Sequence, residues 1–109
     1  MRNDVIVEKL LKYIDKIQEY TASESADSFN KNTMLHEACV FCLSQIGELV
    51  YKMDDDFKTN HPEIPWPQIS GLRHHIVHDY DGIKLDRIWD TIKNYIPKFK
   101  EQLEAISRL

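Results

Sequence analysis

The stretch Leu35-His36-Glu37-Ala38-Cys39-Val40-Phe41-Cys42-Leu43-Ser44-Gln45-Ile46-Gly47-Glu48-Leu49-Val50-Tyr51-Lys52-Met53 decides the fold. Its apolar positions, Leu35, Ala38, Cys39, Cys42, Leu43, Ile46, Leu49, Val50 and Met53, recur at the three-and-four spacing of a helix. That stripe is wider than one neighbour needs. The helix, expected over Phe29 to Met53, therefore offers two packing surfaces. Gly47 sits inside it at a cost of about 1 kcal/mol relative to Ala, which a close approach by another helix would explain. Cys39 and Cys42 have a Cys-x-x-Cys spacing that suits a redox pair or half a zinc site. No second cysteine pair exists, and both thiols fall in the apolar pattern, so they read as buried core residues.

Outward from this helix the pattern stays helical. Asn3 is placed to cap a first helix running to about Tyr20, with Ile6, Leu10, Tyr13, Ile14 and Ile17 on its buried face. Thr21 to Ser28 reads as a turn. Asp54-Asp55-Asp56 reads as a solvated acidic loop rather than a metal site, because consecutive carboxylates point in different directions. Pro62, Pro65 and Pro67 punctuate a loop, with Pro67 suited to the first position of a third helix just after Trp66. Gly82 ends that helix. Asp86 lies near the start of a fourth, whose ladder is Ile88, Trp89, Ile92, Ile96, Phe99, Leu103 and Ile106. Pro97 falls inside the ladder and predicts a kink or a break there. No segment reads as a strand. The expectation is one all-α domain over 1–109, an up-and-down bundle of four or five helices.

Composition sets limits on function. The balance of 42% apolar and 29% charged residues is that of an ordinary soluble globular chain. No apolar run approaches the roughly 18 residues of a membrane span, and the N-terminus lacks a signal-peptide hydrophobic region, so no membrane partner and a cytoplasmic location are expected. Net charge is -4, which argues against a dedicated nucleic-acid stripe. The charge is uneven, however. Residues 1–72 hold 7 basic and 12 acidic side chains, and residues 73–109 hold 7 and 6. The last third is the less repulsive surface for a phosphodiester.

The chemistry concentrates in Gly71-Leu72-Arg73-His74-His75-Ile76-Val77-His78-Asp79-Tyr80-Asp81-Gly82, which holds three of the five histidines. Imidazole, guanidinium and phenol are the groups that hold a phosphate and move a proton near neutral pH. Arg73, His78 and Tyr80 spell R-x4-H-x-Y. Three further blocks accompany that run: Leu43-Ser44-Gln45-Ile46-Gly47-Glu48, Ile64-Pro65-Trp66-Pro67-Gln68-Ile69-Ser70-Gly71-Leu72-Arg73, and Ile88-Trp89-Asp90-Thr91-Ile92 with Pro97. In this order they resemble the HepT-like proteins, a toxin branch of the all-helical HEPN superfamily. Their L-x-x-I-G-E, I-P-W-x-x-I-x-G-M-R and V-H-x-Y segments match nearly the whole chain. One departure stands out: the family commonly has Asn directly after the motif arginine, and this chain has His74.

The resemblance implies a HEPN-like helical bundle and a metal-independent endoribonuclease that acts as a homodimer without a cofactor. It implies the toxin of a type VII toxin–antitoxin system, silenced when a small nucleotidyltransferase antitoxin transfers AMP onto the motif tyrosine. Carried over by position, His78 is the general base toward the RNA 2′-hydroxyl and Arg73 holds the scissile phosphate. Tyr80 is the modified residue, and His74 with Tyr80 supports RNA contact. The residues suit this chemistry unaided. A well-placed His contributes typically about 10²–10⁴-fold, Arg grips phosphate in a bidentate way, and the 2′-hydroxyl is its own nucleophile. A 2′,3′-cyclic phosphate end is the expected product.

Bland readings compete with each role. Arg73 alone would be a salt-bridge residue, His78 a hydrogen-bonded structural imidazole, and Tyr80 a core-edge aromatic. His74 with His78, and His75 with Asp79, have the i,i+4 spacing of metal ligands, whereas the ribonuclease reading leaves His78 unliganded. Glu48 is either a solvated charge or a support for the dimer. The alternative function is a non-catalytic nucleotide- or RNA-binding helical dimer. Helix geometry adds a constraint. At about 100° per residue, Arg73 and Tyr80 lie nearly in line, while His78 is about 140° from Arg73 and turned away from Ile69, Leu72 and Ile76. A working site then needs the helix to end near His78, a second subunit, or both.

Overall fold

In the computed structural model, which describes residues 2–82 and 84–107, every regular element is helical. Helix α1 spans Asn3–Thr21, α2 Ala26–Lys31, α3 Thr33–Tyr51, α4 Asp55–Asn60, α5 Trp66–Ser70 and α6 Leu72–Asp81. Helix α7, Leu85–Asp90, passes through a π-helical turn, Thr91–Tyr95, into α8, Ile96–Ser107. The bundle is all-α and HEPN-like, as expected. No described helix is long and apolar enough to cross a membrane.

Helix α3 is the element the others pack on. It touches α1 on one side and α5 and α6 on another, so both surfaces of its wide stripe are used. Cys39, Leu43, Ile46 and Val50 are fully buried, in one core cluster with Ile6, Leu10, Ile14 and Ile17 of α1 and the ladder Ile88, Ile92, Ile96, Phe99 and Leu103. Truncating any one of the large aliphatics here to Ala removes roughly 2–5 kcal/mol. Cys39 and Cys42 are free thiols in this core.

Several boundaries differ from the sequence expectation, each for a local reason. Residues 21–28 are not one turn. Ser25 and Ser28 form a reciprocal capping box that starts α2, and Phe29 of α2 is fully buried. The long helix therefore begins at Thr33 instead of Phe29. Asn32 is extended and its side chain accepts from the Leu35 amide, resetting the helix there. That helix ends at Tyr51. Asn3 does not cap α1. It lies in the first turn and donates to the Asp54 carboxylate at 3.3 Å, with Arg2 at the cap position. The acidic run is exposed as expected, but Asp55 and Asp56 open α4, where carboxylates favour the N-terminal dipole. Trp66 is inside α5 and not before it. It is buried, and its indole N–H donates to the carbonyls of Lys58 and His61, which fixes the proline-rich loop.

Pro97 does not break the last helix. A proline removes one N–H and crowds the carbonyl four residues back. The preceding turn widens instead, with the Ile96 amide bonding the Thr91 carbonyl five residues away. The ladder crosses that turn with Ile92, Ile96 and Phe99 all buried.

Candidate active site

Helix α6 runs along α3, and two anchors fix it. At the first, Gly47 leaves no room: a Cβ there would lie 2.5 Å from the Arg73 amide nitrogen. The backbone of Leu72 and Arg73 thus rests directly on α3, the close approach that the glycine suggested. From this seat the Arg73 guanidinium lies 3.5 Å from the centre of the Tyr51 ring, a cation–π contact. Its Nη1 is 3.9 Å from the Glu48 carboxylate. Glu48 is therefore a partner of Arg73 within the chain and not only a solvated charge. The guanidinium stays partly exposed, so it is oriented yet open to solvent.

The second anchor is Tyr80. Its hydroxyl lies 3.1 Å from Nδ1 of His36, a histidine only 6% exposed, and the two rings are 5.4 Å apart. His36 packs in turn on Phe29, and Phe29 on Trp89. Removal from water pushes the Tyr80 phenol above its ordinary value, and the nearby Glu37 carboxylate adds to the rise. Tyr80 lines a hollow of about 490 Å³ together with Asn30, His36, Asp81 and Leu85.

Between the anchors, Ile76 is buried against α3, while His74, His75 and His78 are exposed. The helix does not end near His78. It continues to Asp81, and Gly82 then closes it by donating to the His78 carbonyl. Within one chain Arg73 and His78 therefore leave the same straight helix in different directions. Asp79 ties the C-terminal end of α6 to α7, with its carboxylate 3.8 Å from Arg87 Nη1. Among the described residues no group of three or more His, Cys, Asp or Glu side chains is arranged to hold a metal ion, and the His74–His78 pair has no third ligand.

A ribonuclease family model, described as Ribonuclease HepT-like, matches residues 10–106. The chain belongs to this family. A Methanocaldococcus jannaschii protein named "Putative RNase" is 34% identical over 97 residues, covering 89% of this chain and 80% of the relative. One of that name from Caldanaerobacter subterraneus is 32% identical over 100 residues, covering 92% and 89%. The "Probable ribonuclease HepT" of Thermococcus cleftensis is 30% identical over 102 residues, covering 94% and 93%. No solved structure gives a significant match.

The sequence singles out Arg73, His74, His78 and Tyr80 but not the residues that contact Arg73 and Tyr80. Tyr51 and His36 lie in α3, 22 and 44 positions from their partners, and no local motif marks them. The available signal was a histidine on the apolar face of the long helix, where an imidazole needs a polar partner.

Proposed function

We propose that this protein is a metal-independent endoribonuclease and the toxin of a toxin–antitoxin pair. Arg73 binds the scissile phosphate, and His78 takes the proton from the adjacent 2′-hydroxyl. The 2′-oxygen then attacks phosphorus and the 5′-oxygen leaves. The supporting observation is the fixed Arg73 guanidinium, seated by Gly47, Tyr51 and Glu48 and still partly open. An arginine oriented before substrate arrives stabilises the charge developing on phosphorus without reorganising in the transition state. The exposed His78 is free to meet RNA.

The working unit is a homodimer. Support comes from the unbroken α6, on which Arg73 and His78 diverge. A second copy completes each site by bringing its own histidine or arginine to the shared phosphate. His74, exposed beside Arg73, contacts the RNA backbone. Tyr80 is the residue to which a nucleotidyltransferase antitoxin transfers AMP. The added phosphate carries negative charge onto the same helix as Arg73 and His78, and both blocks and repels RNA.

The test is cleavage of RNA by purified protein in EDTA, with the product ends analysed. The reading expects 2′,3′-cyclic phosphate ends and no product from His78→Ala. RNA binding that depends on Arg73 but yields no product would favour a non-catalytic binding module. Equal cleavage by wild type and His78→Ala would remove the assigned base. AMP on Tyr80 is sought by mass spectrometry after co-expression with a nucleotidyltransferase encoded beside the gene.

A further inference from the structure

His36 has no part in RNA cleavage as proposed, yet it is a buried titratable group bonded to a nucleophilic hydroxyl. The only hydrogen bond to its ring among the described residues is the one to Tyr80. A neutral imidazole accepts at one ring nitrogen only if the other carries the proton. When the Tyr80 hydroxyl donates to Nδ1, the ring proton sits on Nε2, and His36 and Tyr80 both line one hollow. A hydroxyl, a base within hydrogen-bond reach and an open space for an electrophile are the three parts of an activated nucleophile.

We infer that His36 is the proton acceptor that makes Tyr80 the modifiable residue of this chain. This rests on the reading of Tyr80 as the AMP acceptor, and names what on the acceptor protein enables the transfer. Tyr80 Oη attacks the α-phosphorus of a nucleoside triphosphate presented at the hollow. The new O–P bond forms as the bond to pyrophosphate breaks, and pyrophosphate departs with the electron pair. The phenolic proton passes to His36 Nδ1, and the Nε2 proton passes to solvent through the hollow. A base is needed because partial burial and Glu37 keep the phenol protonated. The second observation concerns charge. Asp81 lines the hollow, and no Lys or Arg does so among the described residues. The hollow itself offers a triphosphate no cation, so the donor arrives bound to the transferase.

The five tyrosines make the test internal. Tyr95 is 65% exposed and Tyr20 is 41% exposed, whereas Tyr80 is only partly exposed. Treat the full chain with benzenesulfonyl fluoride, which forms a tyrosine O–S bond with loss of fluoride and needs no transferase. Follow each tyrosine by peptide mass spectrometry. Tyr80 should react faster than Tyr95 despite its lower exposure, by roughly tenfold or more if the base contributes as bases ordinarily do. His36→Ala should abolish that advantage, and added imidazole should restore it. His36→Gln keeps a hydrogen-bonding group without a base and should lose the advantage too. Unchanged rates at Tyr20 and Tyr95 report an intact fold. A Tyr80 rate equal to wild type in His36→Gln, or slower in wild type than its exposure would give, overturns the assignment. A His36-dependent Tyr80 reaction with no AMP adduct after co-expression supports the base and instead sinks the AMP reading.

Discussion

Gly47 on α3 and Arg73 on α6 are in backbone contact, and that contact sets where the Arg73 side chain begins. The ideal Cβ of any other residue at position 47 would stand 2.5 Å from the Arg73 amide nitrogen and 3.1 Å from the Leu72 carbonyl carbon. Backbone atoms in two packed helices do not yield as a flexible side chain would. Overpacking of this kind costs about 1–3 kcal/mol, against a helix-propensity gain of about 1 kcal/mol for Gly→Ala. Gly47→Ala should therefore be net neutral to destabilising by urea unfolding, and should lose RNA cleavage out of proportion because Arg73 is displaced. A stabilised variant with full cleavage would mean that the contact is not held in solution.

Tyr51 should matter to Arg73 without touching RNA chemistry itself. Its ring lies 3.5 Å below the guanidinium, and the Glu48 carboxylate is 3.9 Å away. A partly exposed cation–π pair contributes roughly 0.5–2 kcal/mol. Tyr51→Ala should lower cleavage by roughly two- to thirtyfold, and Tyr51→Phe should leave it near wild type because the ring face is retained. Arg73→Lys removes the planar fork and should cost roughly 10²–10³-fold, as loss of a transition-state donor does. Single-turnover cleavage rates at saturating protein separate these effects from RNA affinity.

The core thiols give a pH signature. Burial, with the neighbouring Cys42 adding and Lys93 opposing, pushes Cys39 from 9.0 up to about 12. Between those values the unfolded chain releases a proton that the folded chain keeps, so folding stability falls as pH rises. The contribution is fully present below pH 9 and is lost on the way to 12. Urea midpoints measured in wild type and Cys39→Ala should have a difference that is constant below about pH 9 and shifts against wild type above it. A thiol reagent at neutral pH should leave both cysteines unmodified until the protein is unfolded.

Much of this architecture was legible because it is written in local periodicity. The three-and-four spacing gave α1, α3 and the last ladder, and the width of the α3 stripe anticipated its two partners, α1 and α6. Gly47 was legible for the same reason: an unfavourable residue in a strong helix needs a packing cause. What stayed hidden was non-local or depended on competing local signals. Asn32 ended one helix and capped the next, which apolar spacing across Phe29 and Leu35 conceals. Pro97 predicts a kink or a break, and the chain instead takes a π turn, Thr91–Tyr95, just before it. The roles of Tyr51 and His36 arise from pairing across helices, which a spacing within one segment does not encode.

The divergence of Arg73 and His78 along α6 leads to a complementation prediction. If each site combines Arg73 of one protomer with His78 of the other, then Arg73→Ala and His78→Ala are each inactive as homodimers. A mixed dimer of the two has one site with both wild-type groups and one with neither. Refolding the variants together in equal amounts gives mixed dimers in about half of the population, so cleavage should recover to about a quarter of wild type under two-fold symmetry. If both groups act within one chain, the mixture stays inactive, since no protomer carries both. The double variant mixed with wild type separates the cases further. Every mixed dimer then has one defective group at each composite site and is dead, and activity falls to about a quarter, whereas sites within one chain would retain about half. The measurement is the initial cleavage rate against mixing ratio: a parabola marks a shared site, a straight line a self-contained one.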